Sequence, residues 1–215
     1  MTKTALIVGA TGVVGRALVT QLCEHDAYQR VIVWVRRPLA FSHPKLTVRI
    51  VDFEGIDAIP IEPIDDVFCA LGTTKKQAGS REQFWRVDVD YPLAVARWAK
   101  QAGASQCILI SSPGANATSP LLYLRAKGEA ERGVRALAFE RVLIIHPPII
   151  MGQRADKRLA ETVSARILLR LPATWLPTLR PMTGDAIARA VCGFAQHTQH
   201  GCFIRKPCEW VAAIE

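Results

Sequence analysis

The sequence predicts an α/β fold in which helices cover both faces of a parallel sheet. Apolar segments of strand length alternate with segments whose apolar residues recur at helical spacing. The strand segments are almost continuously apolar, as expected of strands buried on both faces. A glycine-rich turn joins the first strand to the first helix. These features are typical of a doubly wound sheet of the Rossmann type, and 215 residues suffice for one such domain.

Strands and helices are predicted in order along the chain. The strands are predicted at residues 4–8, 31–35, 46–51, 67–71, 107–110 and 141–145. The helices are predicted at residues 13–25, 81–102 and 120–137. Between the third and fourth strands stand Pro60 and Pro63, so we expect a short crossover helix there or none.

The alternation loosens between residues 147 and 181, where several prolines occur. We expect one helix in this segment, over residues 156–171. The segment is too small to fold independently. We therefore predict a single domain over residues 1–215, in which residues 147–181 form a small cap on the substrate side.

Composition bounds the location of the protein. The chain is 50% apolar and 21% charged, which is ordinary for a globular protein. No apolar run is long enough to span a membrane, and too few residues precede the first strand for a signal peptide. We therefore expect a cytoplasmic protein without a membrane span.

Cysteine and charge patterns limit the ligands. The six cysteines include no C-x-x-C pair, so we expect buried free thiols and no disulfide framework or metal site. The net charge is +8, but the basic residues are dispersed, as in the doublets Arg36-Arg37 and Lys75-Lys76. We expect no nucleic-acid partner, because no long basic run with interleaved aromatics occurs. A polyanionic dinucleotide would account for part of the positive charge.

The glycine-rich turn contains Gly9, Gly12 and Gly15 in G-x-x-G-x-x-G spacing. Gly9 would permit a tight turn, Gly12 would let a phosphate approach the backbone, and Gly15 would let helix and strand pack closely. The alternative is a plain strand–turn–helix whose glycines are only structural. The position of the turn, directly after the first strand, favours a dinucleotide site.

Arg36 and Arg37 follow the second strand, where dinucleotide-binding domains contact the adenosine ribose. An acidic residue there would bind the ribose hydroxyls of NAD, whereas guanidinium groups suit the 2′-phosphate of NADP(H). The alternative is a solvated basic turn before Pro38. The doublet predicts NADP(H).

Two further residues stand at strand ends. Asp52, after the third strand, could accept a hydrogen bond from the adenine amino group. Gly72, after the fourth, would let the backbone pass close to the adenosine ribose. The alternatives are a turn aspartate and a turn glycine, and for Asp52 the sequence favours neither reading.

Ser112, Tyr123 and Lys127 form the candidate reactive set. Tyr123 and Lys127 lie four residues apart, on one face of the predicted helix. An adjacent ammonium favours a tyrosine phenolate and moves its pKa from about 10 toward neutrality. A serine hydroxyl would orient a carbonyl and stabilise developing negative charge. Ser111 remains an alternative to Ser112, because neighbours on a strand point opposite ways. The set as a whole has the alternative of an ordinary amphipathic helix.

Three sequence blocks carry a family resemblance: Cys-Ala-Leu-Gly-Thr-Thr at 69–74, Val-Asp-Val-Asp-Tyr at 87–91, and residues 122–129 around Tyr123 and Lys127. With the glycine turn and the reactive set, they resemble the extended or atypical branch of the short-chain dehydrogenase/reductase superfamily. Within that branch they closely resemble the Tat-interacting-protein-like NAD(P)H-binding oxidoreductases. The resemblance runs from about residue 4 to about residue 180.

The resemblance implies an NADPH site, and this sequence differs from the resembled proteins at two positions. The implied cofactor contacts are Thr11, Gly12, Val13, Val14, Arg36, Arg37, Leu71, Gly72, Tyr123, Lys127, Ile150 and Arg158. Members of the superfamily often carry an Asn that completes a proton relay, and Asp88 corresponds to it here. His146 stands where the resembled proteins have an Arg, on the cofactor side.

The sequence therefore predicts an NADPH-dependent reductase of a small carbonyl compound, with Tyr123 as the proton donor. Lys127 would bind the nicotinamide ribose and activate Tyr123. The alternative is an NADP(H)-binding regulatory or sensor protein with vestigial catalysis, which Asp88 and the short substrate region favour. An oligomer is compatible with either reading.

Overall fold

A computed structural model describes residues 2–151, 181–206 and 209. Three expectations lie largely or wholly outside these residues. They are the helix at 156–171, most of the cap at 147–181, and the cofactor contact at Arg158.

Within the described residues, the fold is built on a seven-stranded parallel sheet. Its strands are β1 (Lys3–Val8), β2 (Tyr28–Val35), β3 (Leu46–Ile50), β4 (Asp66–Cys69), β5 (Gln106–Ile110), β6 (Arg141–Ile145) and β9 (Gly201–Arg205). They lie in the order β3-β2-β1-β4-β5-β6-β9. A separate parallel pair joins β7 (Ile150–Met151) to β8 (Met182–Thr183). The predicted doubly wound Rossmann-type fold is confirmed.

Helices cover both faces of this sheet. The described helices are α1 (Val13–Glu24), α2 (Lys75–Ala78), α3 (Arg81–Trp85), α4 (Tyr91–Gln101), α5 (Leu122–Ala136) and α6 (Gly184–Ala195). The crossover between β3 and β4 is only a 3₁₀ segment, Phe53–Ala58, as its prolines predicted. No helix in the described part of the chain has both the length and the apolar character needed to cross a bilayer.

Alternate strand residues feed two apolar cores, one on each face. Ile7 and Val33 belong to the core under α1 and α6, whereas Leu6 and Val8 belong to the core under α4 and α5. This division follows from the two-residue period of a strand. It explains why the strands are apolar on both faces and why the fold class could be predicted.

The predicted helix 81–102 is not uniformly α-helical. A π-helical segment, Arg86–Asp90, separates α3 from α4 and contains the buried residue Asp88. A π-helical turn is rare and occurs frequently at functional sites. The apolar period that predicted one long helix does not reveal such a local widening.

The seventh strand and α6 were not predicted. β9 is exposed or half-buried along its whole length, so it lacks the continuous apolar run of the buried strands. α6 packs its buried face against α1. The feature of the sequence that could have indicated α6 is Thr183, a favourable N-cap residue. Its hydroxyl accepts a hydrogen bond from the N–H of Ala186 at 3.2 Å.

Candidate cofactor and catalytic site

A cavity of about 570 Å³ opens at the carboxyl ends of β1, β2 and β4. Here β1 lies between β2 and β4, which is where the strand order of a doubly wound sheet reverses and where such sheets bind ligands. The described lining residues are Gly9, Ala10, Thr11, Gly12, Trp34, Val35, Arg36, Arg37, Phe53, Ala70, Leu71, Gly72, Thr73, Gln77, Val87 and Tyr91. The cavity thus brings together seven of the residues predicted to bind the cofactor.

The three glycines of the turn have different surroundings. Gly9 has φ +86°, and a Cβ there would lie 2.3 Å from the Ala70 carbonyl oxygen. A Cβ at Gly15 would lie 2.1 Å from the Gly9 carbonyl oxygen. A Cβ at Gly12 would meet only the Gly9 oxygen, at 3.3 Å, so its space belongs to the cavity. Gly9 and Gly15 are needed for the fold, and Gly12 leaves room for a ligand.

The amino end of α1 provides backbone donors to this space. Gly12 caps the helix and offers no side-chain hydrogen bond. The first N–H groups of a helix lack partners within it and attract anions. Val14 is buried in the core and Val13 is exposed. Any contact of these two residues with a phosphate would therefore use their backbone.

Arg36 and Arg37 line the cavity and are both exposed. Neither forms an ion pair with a carboxylate in the part of the chain that is described. Asp52 instead caps the 3₁₀ segment, where its Oδ1 accepts a hydrogen bond from the N–H of Glu54 at 3.0 Å. Asp52 is not among the lining residues, whereas its neighbour Phe53 is.

Aromatic side chains that the sequence analysis had not singled out form one wall of the cavity. The rings of Phe53 and Tyr91 lie 5.5 Å apart between centroids. The Tyr91 hydroxyl donates to Glu54 Oε1 at 2.6 Å. Burial and this carboxylate raise the pKa of Tyr91 to about 12, so the hydroxyl stays protonated. Tyr91 is the last residue of the block at 87–91 that carries the family resemblance.

Tyr123 and Lys127 share one face of α5 but differ in burial. Tyr123 is 42% exposed, whereas Lys127 is buried. Lys127 Nζ lies 2.9 Å from Asp88 Oδ1 and donates to the Leu71 carbonyl oxygen at 3.4 Å. Burial alone would lower the pKa of Lys127, but Asp88, with a smaller contribution from Tyr123, raises it above its ordinary value. The ammonium is therefore charged and lies next to the loop that lines the cavity.

The two serines after β5 have different environments. Ser111 is buried and its hydroxyl donates to Glu131 Oε1 at 2.5 Å. His146 Nε2 lies 2.7 Å from the same oxygen. Ser112 is half-buried, and within the described ranges its hydroxyl donates only to the carbonyl of Pro113, at 3.2 Å. His146 was expected on the cofactor side. It instead makes a buried contact with Glu131 of α5, which the sequence did not predict.

The remaining predicted contact in the described residues is Ile150. It begins β7, is half-buried, and packs against the core under α1. It is not among the residues that line the cavity.

The family of the chain follows from comparison with known proteins. Residues 9–164 match the model of a family described as NAD(P)H-binding. The chain belongs to this NAD(P)H-binding family. It is 35% identical over 178 residues to protein HTATIP2 of Rattus norvegicus, covering 80% of this chain and 73% of that protein. It is 42% identical over 173 residues to protein fmp52, mitochondrial, of Emericella nidulans, covering 76% and 73%.

These relatives confirm the resemblance to the atypical short-chain dehydrogenase/reductase branch. This NAD(P)H-binding protein is therefore oxidoreductase-like. The word mitochondrial in the name of the Emericella relative means that the expected cytoplasmic location is not confirmed.

Solved structures show the same fold at low identity. A short-chain dehydrogenase family protein from Francisella tularensis matches with a TM-score of 0.71 at 15% identity, covering 98% of this chain and all of that one. MoeE5 in complex with UDP-glucuronic acid and NAD matches with a TM-score of 0.71 at 20% identity, covering 94% and 75%. At such identities these likenesses support the fold alone.

Proposed function

We propose that this protein is an NADPH-dependent oxidoreductase that reduces a small carbonyl compound. The observation that carries the proposal is the position of Lys127. Its buried ammonium donates to the carbonyl of Leu71, in the loop that lines the cavity, and it shares a helix face with Tyr123. A tyrosine and a charged lysine beside a dinucleotide-binding loop can perform acid–base chemistry on a carbonyl.

The chain's residues fit NADP(H). Gly12 leaves space for a phosphate at the amino end of α1, and Arg36 and Arg37 offer guanidinium groups without carboxylate partners in the described residues. Bound NADPH supplies the hydride. Guanidinium groups suit a 2′-phosphate because they form charge-assisted, often bidentate hydrogen bonds.

The chain's own residues would handle the proton. Tyr123 donates it to the carbonyl oxygen, and its partial exposure gives a small substrate access to the hydroxyl. Lys127 binds the ribose and supplies positive charge near Tyr123. Ser112, whose hydroxyl donates to the neighbouring carbonyl of Pro113, orients the substrate.

Calorimetric titration of NADPH and NADH tests the cofactor assignment. We expect NADPH to bind at least about tenfold more tightly, because a hydrogen bond to a charged group contributes roughly 1.5–3 kcal/mol. Replacing Arg36 and Arg37 together by Ala should remove this preference. Arg97→Ala is the matched control, since Arg97 is exposed on α4 and does not line the cavity. Equal affinities for the two nucleotides would contradict the assignment.

A regulatory or sensor protein that binds NADP(H) is the second candidate. The ion pair between Lys127 and Asp88 favours it, because a carboxylate at 2.9 Å offsets the positive charge available to Tyr123. A sensor would bind NADPH but would oxidise none of it with a panel of aldehydes, ketones and quinones. Turnover with any member of the panel would favour the reductase.

A further inference from the structure

Asp88 is a fully buried carboxylate with two partners. Its side chain has 0% exposure and lies in the π-helical segment Arg86–Asp90. Oδ1 lies 2.9 Å from Lys127 Nζ, and Oδ2 accepts a hydrogen bond from the N–H of Thr73 at 2.9 Å. A buried carboxylate is stable only when it is paired and hydrogen-bonded, and Asp88 meets both conditions.

The two partners of Asp88 belong to different parts of the site. Thr73 lies in the loop after β4 and lines the cavity, whereas Lys127 lies on α5 beside Tyr123. Lys127 also donates to Leu71 of the same loop. A Cβ added to Gly72 would lie 3.5 Å from Lys127 Nζ and 3.7 Å from Asp88 Oδ1. The carboxylate thus joins the cavity loop to the lysine.

The charged state of Lys127 depends on the groups that face it. Among the described residues, these are Asp88 from the π-helical segment, Tyr123 from α5 itself, Cys69 from β4 and the carbonyl of Leu71. Asp88 is the carboxylate among them. An unpaired lysine at this depth would favour its neutral form, because burial penalises the ammonium.

We propose that Asp88 is a positioning residue that keeps Lys127 charged and fixes it against the cavity loop. The inference deepens the proposed function and rests on it for the contact between Lys127 and the cofactor. Asp88 thereby takes a different role from the relay Asn of the resembled superfamily. It acts through Lys127 and through the N–H of Thr73.

Asp88→Asn isolates the charge. The amide has the same shape and can still accept from the N–H of Thr73, but it cannot neutralise Lys127. In the parent, the pKa of Lys127 is raised above its ordinary value of 10.5, so the side chain is charged at pH 7 and at pH 9.5. In the variant, burial should lower that pKa, so Lys127 should lose its proton within the working range.

NADPH affinity measured by calorimetry at pH 7 and pH 9.5 is the first readout. We expect the NADPH affinity of the parent to change little between these pH values. The affinity of Asp88→Asn should fall by about tenfold or more, because burial without a carboxylate partner lowers the pKa of Lys127 below its ordinary value. Asp90→Asn is the matched control, because Asp90 ends the same segment but is exposed. The same pH dependence in both variants would overturn the inference.

Stability against pH is the second readout and needs no cofactor. A lysine whose folded pKa is raised stabilises the fold below its unfolded value and loses that contribution as pH rises through the folded pKa. A lysine whose folded pKa is lowered does the opposite, so stability rises with pH between the two values. We therefore expect the urea midpoint of Asp88→Asn to rise from pH 8 to pH 10 relative to Asp88→Asn/Lys127→Met.

The two readouts distinguish a failure of the proposed function from a failure of the inference about Asp88. If the parent binds no NADPH, the proposed function fails, and the urea experiment still decides whether Asp88 keeps Lys127 charged. If Asp88→Asn does not fold, the double variant with Lys127→Met should fold, because it leaves no unpaired buried charge. Failure of both variants to fold would overturn the inference.

Discussion

Ser111, which directly follows β5, donates a 2.5 Å hydrogen bond to Glu131 on α5, twenty residues away in the sequence. The Glu131 oxygen that accepts from Ser111 also lies 2.7 Å from His146 Nε2. All three side chains are buried. With the His146 contact, the bond ties the residues that follow β5 and β6 to α5, the helix that carries Tyr123 and Lys127. It also separates the roles of two adjacent serines.

Alanine substitutions should distinguish Ser111 from Ser112. We expect Ser111→Ala to lower the free energy of unfolding by about 1.5–3 kcal/mol, because it removes a buried hydrogen bond to a carboxylate. Ser112→Ala should change that free energy by less than about 0.5 kcal/mol but reduce turnover. Urea unfolding and steady-state kinetics measure the two effects. Loss of turnover without loss of stability in Ser111→Ala would reverse the assignment.

Gly12→Val should abolish NADPH binding and leave a folded protein. A Cβ at this position meets one backbone oxygen at 3.3 Å, so a shift of a few tenths of an ångström accommodates it, while the branched side chain fills the space for the phosphate. Circular dichroism and calorimetric titration measure folding and binding in the same sample. Retained binding would mean that the pyrophosphate lies elsewhere.

Gly15→Ala is the matched contrast. Its Cβ would lie 2.1 Å from the Gly9 carbonyl oxygen, so the turn and α1 would have to move apart. We expect this variant to lose stability as well as binding, as seen by a lower thermal midpoint. The pair separates a glycine needed by the ligand from a glycine needed by the fold.

The sheet could be predicted from the sequence because its central strands are buried on both faces and are therefore almost continuously apolar. The edge strand β9 was missed because it is partly exposed. The glycine turn and Arg36-Arg37 could be placed at one cavity because parallel strands deliver their carboxyl ends to one edge. Sequence position thus located the groups that follow the strands.

Side-chain partners could not be predicted in the same way. Asp88, in the π-helical segment, forms an ion pair with Lys127 on α5. Glu131, also on α5, accepts a hydrogen bond from Ser111 and not from Ser112. Both contacts depend on tertiary packing that no local pattern encodes. The sequence could identify Asp88 as a departure from the family but could not show that it pairs with Lys127.

Thiol reactivity should be confined to the cysteines outside the core. Among the described cysteines, Cys23, Cys69, Cys107 and Cys192 are buried, and burial raises the pKa of each thiol. Cys202 is exposed. A thiolate is the reactive form, so buried thiols of raised pKa react slowly.

A Cys208→Ser background, which removes the cysteine outside the described residues, makes the test direct. We expect one thiol to react rapidly with a disulfide reagent in the native protein and none after Cys202→Ser is added. Unfolding in urea should expose the rest. Rapid labelling of the double variant would show that a core thiol is accessible.

Tyr123→Phe separates a reductase from a sensor. If Tyr123 donates the proton, the variant should lose turnover by roughly two orders of magnitude or more, the scale of a lost general acid. Its NADPH affinity should change little, because the substitution removes one hydroxyl and keeps the charged ammonium of Lys127 beside the cavity loop. Turnover with a carbonyl from the panel, followed by NADPH absorbance, measures the first effect, and calorimetry measures the second.

Two further variants serve as controls for Tyr123→Phe. Tyr91→Phe removes a hydroxyl that bonds Glu54 at the cavity wall and should leave turnover nearly intact. Lys127→Met should damage both turnover and NADPH affinity, because one ammonium serves the cofactor loop and Tyr123 together. A Tyr123→Phe variant that matches the parent, in a protein that binds NADPH, would identify a sensor. We expect turnover to be lost instead, because a half-exposed tyrosine above a buried, charged lysine contributes little to packing and is suited to donating a proton.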